Sequence, residues 1–385
     1  MGRGPQAGKT RESARRYSGG VGARDLPGLW RRDWKRSYSI LMRAHEDDDL
    51  PKSWFGRQWY WVKTFFLELS YRLTPARRLL FVLCIILALL GLETDTIEVE
   101  AGDSIEIWQH PVLMLIAVVG LVFLLIFELA DRVQVRDELE VARQLQWDLL
   151  PQDAPPVEGY DFAFSYRSAN TVGGDYYDFL ELDDGRLALA MGDASGHGIA
   201  AAMLMAVSSS TLRLAVDTDP RPPAVARMMN RALVGSGGPR AFLTLFYALL
   251  DPASGRFEYV CAGHPFPLLR RTDGAIDKLG SGSFPLGLRQ EVELSVGSET
   301  IREDDLLLVY TDGIPEALDA GGEAFTFERV QTLLEPGGTP QEVHDRILGD
   351  LDRFVGTEPL VDDRSLVVIR RSARATERIE TAGTP

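Results

Sequence analysis

The chain has 385 residues, 45% hydrophobic and 25% charged, the composition of a globular protein with one or two cores. Its net charge of −15 is unevenly placed: residues 1–78 hold 17 Lys and Arg against 8 Asp and Glu, so the remainder carries an excess of 24 negative charges. That acidity excludes a nucleic-acid partner for the larger part of the chain, because a phosphate backbone would be repelled.

Residues 1–53 are rich in Arg, Gly and Ser without periodicity, which predicts a basic, disordered tail; an arm for RNA or lipid is the alternative. In residues 54–78, aromatic and basic residues alternate just ahead of an apolar stretch, the composition of a membrane-interface segment. Two uncharged runs follow, LLFVLCIILALLGL (79–92) and PVLMLIAVVGLVFLLIF (111–127). At 1.5 Å per residue the first reaches only about 21 Å across a ~30 Å hydrocarbon core, so a buried soluble helix competes with a membrane span there. The second reads as a span. The loop between them has six acidic residues and no Lys or Arg, so the basic flanks are expected to stay on the cytoplasmic side with both termini. The expected unit is a two-helix hairpin (79–127) in a bacterial cytoplasmic membrane, with the lipid bilayer as partner.

From Glu128 a polar helix runs to Pro151 within a linker spanning 128–157. Val135, Leu139, Ala142, Gln146 and Leu149 recur at spacings of four, three, four and three. That seam suits a short dimeric coiled coil or, equally, a helix packed on its own domain. Beyond it, residues 158–372 alternate short β-rich runs (FAFSY, RLALAMGD, FLTLFYALLD, RFEYVCAG, DDLLLVYTDG) with two helical stretches, HGIAAAMLMAVSSSTLRLAV and TPQEVHDRILGDLDRFVG. In the second, Thr339 is the predicted N-cap, Pro340 the first helical residue and Glu342 the far side of a capping box. Strands in runs with hairpin-length turns predict an α+β fold of mainly antiparallel sheets flanked by helices. Residues 373–385 read as a tail. GSGSFPLG (280–287) lacks the Lys-Ser/Thr of a phosphate loop and reads as a turn.

Aspartates stand at the ends of apolar strands in four stretches: Asp175 after Gly174, Asp193 after Gly192, Asp312 before Gly313, and the pair Asp362–Asp363. One alone is a turn residue. Four that converge repel, by about 4 kcal/mol for two charges ~4 Å apart at an effective dielectric of ~20. Such a cluster either holds protons or binds cations, and all-oxygen ligands select hard ions, Mg²⁺ or Mn²⁺. The cysteines offer no competing chemistry: Cys84 and Cys261 lack zinc spacing, and Pro267 stands where a cysteine-dependent phosphatase needs its arginine.

In order along the chain, VGGDYYDF, GDASGHGIAAAMLM, CAGHPFPLL, LLLVYTDGIPEA and DDRSLVV resemble the SpoIIE/RsbU branch of the bacterial metal-dependent (PPM) serine/threonine phosphatases, and VARQLQWDLLP is similar to the linker ahead of that domain. The resemblance covers about 140–371. It implies a PPM-type β-sandwich of two mainly antiparallel sheets with outer helices, and two Mn²⁺ or Mg²⁺ ions at one end. Carried over, it makes Asp193 the bridge between the ions, with Asp175 and the Ala194 carbonyl on one ion and Asp312 and Asp362 on the other. Asp193 and Asp175 would thereby activate the attacking water. Asp363 is the less favoured of its pair as a ligand. Gly174 and Gly313 let the backbone approach closely, and Ser365 is expected to support a neighbouring aspartate. Ser195 holds the place of a histidine in eukaryotic relatives, and His197, two residues on, is either near the chemistry or a helix-start residue. His264 is expected to shape a loop beside the site. The implied substrate is a phosphoserine or phosphothreonine on a regulatory protein, an anti-sigma factor antagonist, with a homodimer formed through the linker. A silent docking module and a small-molecule phosphoesterase are the competing readings.

Overall fold

The computed structural model describes residues 53–92, 94–98, 104–108, 111–236 and 241–372. Of the tails predicted at 1–53 and 373–385, all but Ser53 lies outside them. The chain divides into two compact units between Gln134 and Val135.

The first unit is helical where the sequence is aromatic or apolar. Helix α1 (Trp54–Arg72) and helix α2 (Pro75–Leu90) are separated by a turn that Arg78 closes, its guanidinium donating to the carbonyls of Ser70, Tyr71 and Leu73 and lying over the Tyr71 ring. Thr74 and Pro75 start α2 as cap and first residue, and Gly91 ends it, so the apolar run 79–92 is helical only to Leu90. The acidic loop contains a hairpin: β1 (Thr94–Glu98) and β2 (Ser104–Trp108) pair antiparallel from Thr94–Trp108 to Glu98–Ser104. Helix α3 (Pro111–Leu149) then runs 39 residues without a break, about 58 Å. Cys84 of α2 is buried against Gly120 of α3, where no side chain would fit, and Arg77 pairs with Asp131.

The second unit begins with the last turns of α3. Its strands form two five-stranded antiparallel sheets. In the first, the order is β10 (Val296–Thr300), β7 (Arg256–Ala262), β6 (Leu243–Leu250), β5 (Leu187–Ala194) and β4 (Asp175–Glu181). In the second it is β3 (Tyr160–Arg167), β12 (Arg364–Arg371), β11 (Leu306–Tyr310), β8 (Leu268–Arg270) and β9 (Ile276–Lys278). The alternation of a strand's side chains explains how one sheet serves two cores. Leu307, Val309, Val367 and Ile369 join the core shared with β5 and β6, whereas Leu306, Leu308, Tyr310, Leu366 and Val368 face a second core. Helices α4 (Ile199–Thr218) and α5 (Pro222–Ser236) cover the first sheet; α6 (Phe327–Leu334) and α7 (Pro340–Val355) close the second core. Each aliphatic side chain so buried contributes about 1.5–3 kcal/mol. The α7 capping box forms as read, Thr339 accepting from the Glu342 amide and Glu342 from that of Thr339.

The linker seam divides. Val135 is exposed, Leu139 and Ala142 are half-buried, and Gln146 is buried on its own domain. Gln146 is therefore not a polar interruption in an open seam; its amide is spent inside the unit, as described next.

Candidate metal centre

In the register of β4 against β5, Asp175 lies directly opposite Asp193. Asp175 opens its strand and is almost fully buried, with one carboxylate oxygen accepting from Thr311 Oγ1 (2.7 Å) and Ser365 Oγ (2.8 Å). Thr311 Oγ1 in turn accepts the Ser365 amide (2.9 Å). Ser365 thus supports Asp175 of the opposite sheet, not the aspartates beside it in sequence, because alternation along β12 turns it inward. The Asp193 amide donates to Thr244 Oγ1 (3.2 Å), and Thr244 meets His264 Nδ1 at 3.0 Å. His264 does shape a loop, and it also props the strand that carries Asp193.

Asp363 spends both carboxylate oxygens on backbone amides, those of Ala169 (2.7 Å) and Gly174 (2.5 Å), so it clamps the loop leading into Asp175. Asp362 is exposed and accepts only the Asp363 amide, at 2.8 Å, among its described hydrogen bonds. The glycines mark where backbones touch: a Cβ on Gly174 would lie 2.7 Å from the Ala194 carbonyl, and one on Gly313 would collide with the carbonyl of Asp363. From the linker, Gln146 donates to the Gly173 carbonyl (2.7 Å) and accepts its amide (3.0 Å), gripping the same loop.

The four stretches meet electrostatically. Burial, then the Asp193 charge, pushes Asp175 far above the usual carboxylate range. Burial and the charges of Asp312, Asp362 and Asp363 push Asp193 up to about 8. Burial, with Asp362 and Glu316, pushes Asp312 up to about 6. Groups that raise one another in this way share one end of the sandwich, and their charged forms call for a cation. As the side chains stand, no three His, Cys, Asp or Glu among the described residues close around a single point. The donor set is nevertheless all oxygen, acidic and backed by the Ala194 carbonyl, which fits hard divalent ions and excludes soft ones.

Of the remaining predicted residues, Ser195 is engaged with β6: its hydroxyl accepts the Phe242 amide (2.9 Å) and its own amide donates to the Phe242 carbonyl (2.9 Å). His197 is exposed in the turn before α4, two residues ahead of the helix. Thr311, Thr244 and Gln146 were not legible as site residues. Their partners lie 136, 51 and 27 residues away, so only the folded pairing shows them.

Residues 183–372 match the family model described as Stage II sporulation protein E (SpoIIE). Among relatives, Protein IcfG of Synechocystis sp. is 26% identical over 265 residues, covering 62% of this chain and 42% of its own. Phosphoserine phosphatase RsbU of Bacillus subtilis is 27% identical over 243 residues, covering 62% of this chain and 71% of its own. The chain thus spans less than half the length of one of these relatives. In fold, the SiaA-PP2C domain of Pseudomonas aeruginosa superposes with a TM-score of 0.55 at 18% identity, covering 63% of this chain and 98% of that one.

Proposed function

We propose that the chain is a metal-dependent protein serine/threonine phosphatase held at a bacterial cytoplasmic membrane, a reading supported by the match of residues 183–372 to the SpoIIE family model. The observation that carries this reading is the convergence of Asp175, Asp193, Asp312 and Asp362 from both sheets on one end of the sandwich. Asp193 would bridge two Mn²⁺ or Mg²⁺ ions, Asp175 and the Ala194 carbonyl completing one position, Asp312 and Asp362 the other. Bound there, the ions supply the activated water and the neutralising charge for in-line attack on a phosphoryl group.

The protein's own work is positional. Thr311 and Ser365 fix one oxygen of Asp175. Asp363 and Gln146 hold the Gly173–Gly174 backbone, which sets where Asp175 begins. Thr244 holds the Asp193 amide. Cys261 is buried and its thiol is pushed up to about 12 by burial, which leaves it inert as a nucleophile. The substrate we assign is a phosphoserine or phosphothreonine on a regulatory protein, an anti-sigma factor antagonist; the phosphoserine phosphatase relative supports this reading.

Two helices among the described residues are long and apolar enough to cross a membrane, α3 and α4. Helix α4 lays Ala201, Met205, Leu212 and Ala215 on the sheet, so only α3 is free for lipid. With 16 residues, α2 is shorter than a full span, about 24 Å. We assign α2 and α3 together as the membrane hairpin, both chain ends cytoplasmic, with the exposed Val135 and the half-buried Leu139 as the start of a dimer seam.

The test is turnover of a phosphoserine-bearing protein by the full chain in lipid nanodiscs. Turnover is expected with Mn²⁺, absent with EDTA, and lowered on the order of 10²–10³-fold in Asp193→Asn. Undiminished turnover in that variant refutes the assignment, and a metal-loaded chain that binds the phosphoprotein without cleaving it favours the docking reading.

A further inference from the structure

Residues 280–290, the loop after β9, add an edge to the acidic end of the first sheet. Leu286 and Leu243 exchange backbone hydrogen bonds at 2.8 and 2.9 Å, and Leu243 is the register partner of Ala194, the residue after Asp193. Two strand spacings therefore separate Leu286 from Ala194, roughly 10 Å. On its other side the loop is pinned by α5. Asn230, 2% exposed, accepts the Gly287 amide (2.8 Å) and donates to the carbonyls of Arg289 (2.9 Å) and Gln290 (3.1 Å). Gly287 has φ 94° and lies so close to the Ala241 carbonyl that a Cβ would be 3.0 Å from it.

This held backbone presents apolar side chains to solvent. Phe284 is 54% and Leu288 43% exposed, on either side of the buried Leu286. Single exposed apolar residues are common. Here two stand on a loop fixed from both sides, and the Arg289 guanidinium lies over the Phe284 ring, 4.0 Å from its centroid. Arg289 and Arg231, the latter next to Asn230 on α5, are exposed and make no ion pair among the described residues. The nearest carboxylates along the loop, Glu291 and Glu293, come after the last pinned residue. Aromatic residues and arginines are what protein interfaces concentrate, and a rigid loop loses little freedom on binding. In a part of the chain with 24 excess negative charges, such a spot is complementary to an anionic partner that its surroundings repel.

We propose that Phe284, Leu288, Arg289 and Arg231 dock the phosphoprotein substrate beside its phosphorylated residue, an inference that rests on the phosphatase reading above. The matching feature of the substrate is an apolar side chain among carboxylates. Phe284 and Leu288 take the apolar group, and the two arginines face the acidic ones. At about 3.3 Å per residue of extended chain, roughly 10 Å is three residues, so the apolar side chain stands about three positions from the phosphoserine.

The probes are fluorescent peptides built on the phosphonate analogue of phosphoserine, which is not cleaved. Phe, or Ala in the control, stands three residues away on both sides, with Glu or Lys as neighbours. Each peptide is titrated by anisotropy into the full chain with Mn²⁺, in nanodiscs of zwitterionic and of anionic lipid. The Phe peptide with Glu neighbours is expected to bind at least about 10-fold more tightly than its Ala control. Phe284→Ala should abolish that difference, and Arg231→Gln with Arg289→Gln should abolish the preference for Glu over Lys. The thermal midpoint should hold in both variants, since these side chains are exposed. Equal or absent binding of the Phe and Ala peptides, or preferences that survive the substitutions, overturns the proposal. So does a difference that vanishes in anionic nanodiscs, which assigns the loop to the membrane surface instead. Exchanging the phosphonate for serine reports on the acidic centre, and exchanging Phe for Ala reports on the loop, so the two readings fail separately.

Discussion

The two units break opposite rules of a soluble protein. The first exposes what such a protein hides: Leu79, Val82, Leu83, Ile86 and Leu89 of α2, and Val112, Leu115, Ile116, Val122 and Phe123 of α3, are open among the described residues. The second hides what such a protein exposes: Asp175, Asp178 and Asp363 are buried, and Asp193 is pushed up to about 8. Asp178 has a partner inside the protein, Arg213 at 2.8 Å. In the proposed reading, the partner of the exposed apolar helices is lipid and that of the acidic cluster is a divalent cation. Helices α3 and α4 sharpen the contrast, since both pass a test of length and apolarity. Only where each apolar face goes separates them, and composition does not record that.

Substitutions at matched positions break the comparison if it is wrong. Met205→Asp in α4 places a charge in the core between helix and sheet and should cost at least about 4 kcal/mol, enough to lose the folded second unit in circular dichroism and thermal melts. Leu115→Lys with Val122→Lys in α3 should leave the melt of that unit in place. It should move the chain out of the membrane fraction on flotation, each lysine costing about 2.5–3.5 kcal/mol in a span centre. If the α3 variant instead unfolded the second unit, α3 would be a core helix. On the acidic side, Thr311→Val removes a donor to Asp175 and an acceptor for the Ser365 amide. The expected loss is about 1–3 kcal/mol, with weaker Mn²⁺ binding as Asp175 becomes harder to ionise; calorimetry with and without the ion separates the two effects.

Much of this was readable before folding was known, and for definite reasons. The α7 capping box depends on residues three apart, and the strand-end aspartates announce themselves through adjacent glycines, so both were legible locally. That the four stretches meet was not, because register between β4 and β5 and pairing of β11 with β12 are long-range facts. Ser365 shows the limit: its supporting role was foreseen, but its partner is Asp175, across the sandwich and 190 residues away. The β1–β2 hairpin within the acidic loop is not announced by the sequence, since carboxylates mask the alternation in TDTIE and SIEIW. Gln146 follows the second of the two readings its spacing allows, packing on its own domain, since a helix's period gives its faces but not which neighbour each one meets.

The most direct test of the acidic centre is the thermal midpoint of the full chain in nanodiscs from pH 5 to 8.5, with EDTA and with Mn²⁺. Asp193 and Asp312 hold protons in the folded state at pH values where the unfolded chain has lost them. Their stabilising effect is therefore present below about pH 4 and drains away as pH rises through about 6 and about 8. The metal-free midpoint should fall across that window, Mn²⁺ should restore it most at the alkaline end, and Asp193→Asn should flatten both responses. A metal-free midpoint that stays level or rises with pH, and that Mn²⁺ leaves unmoved, would contradict the account.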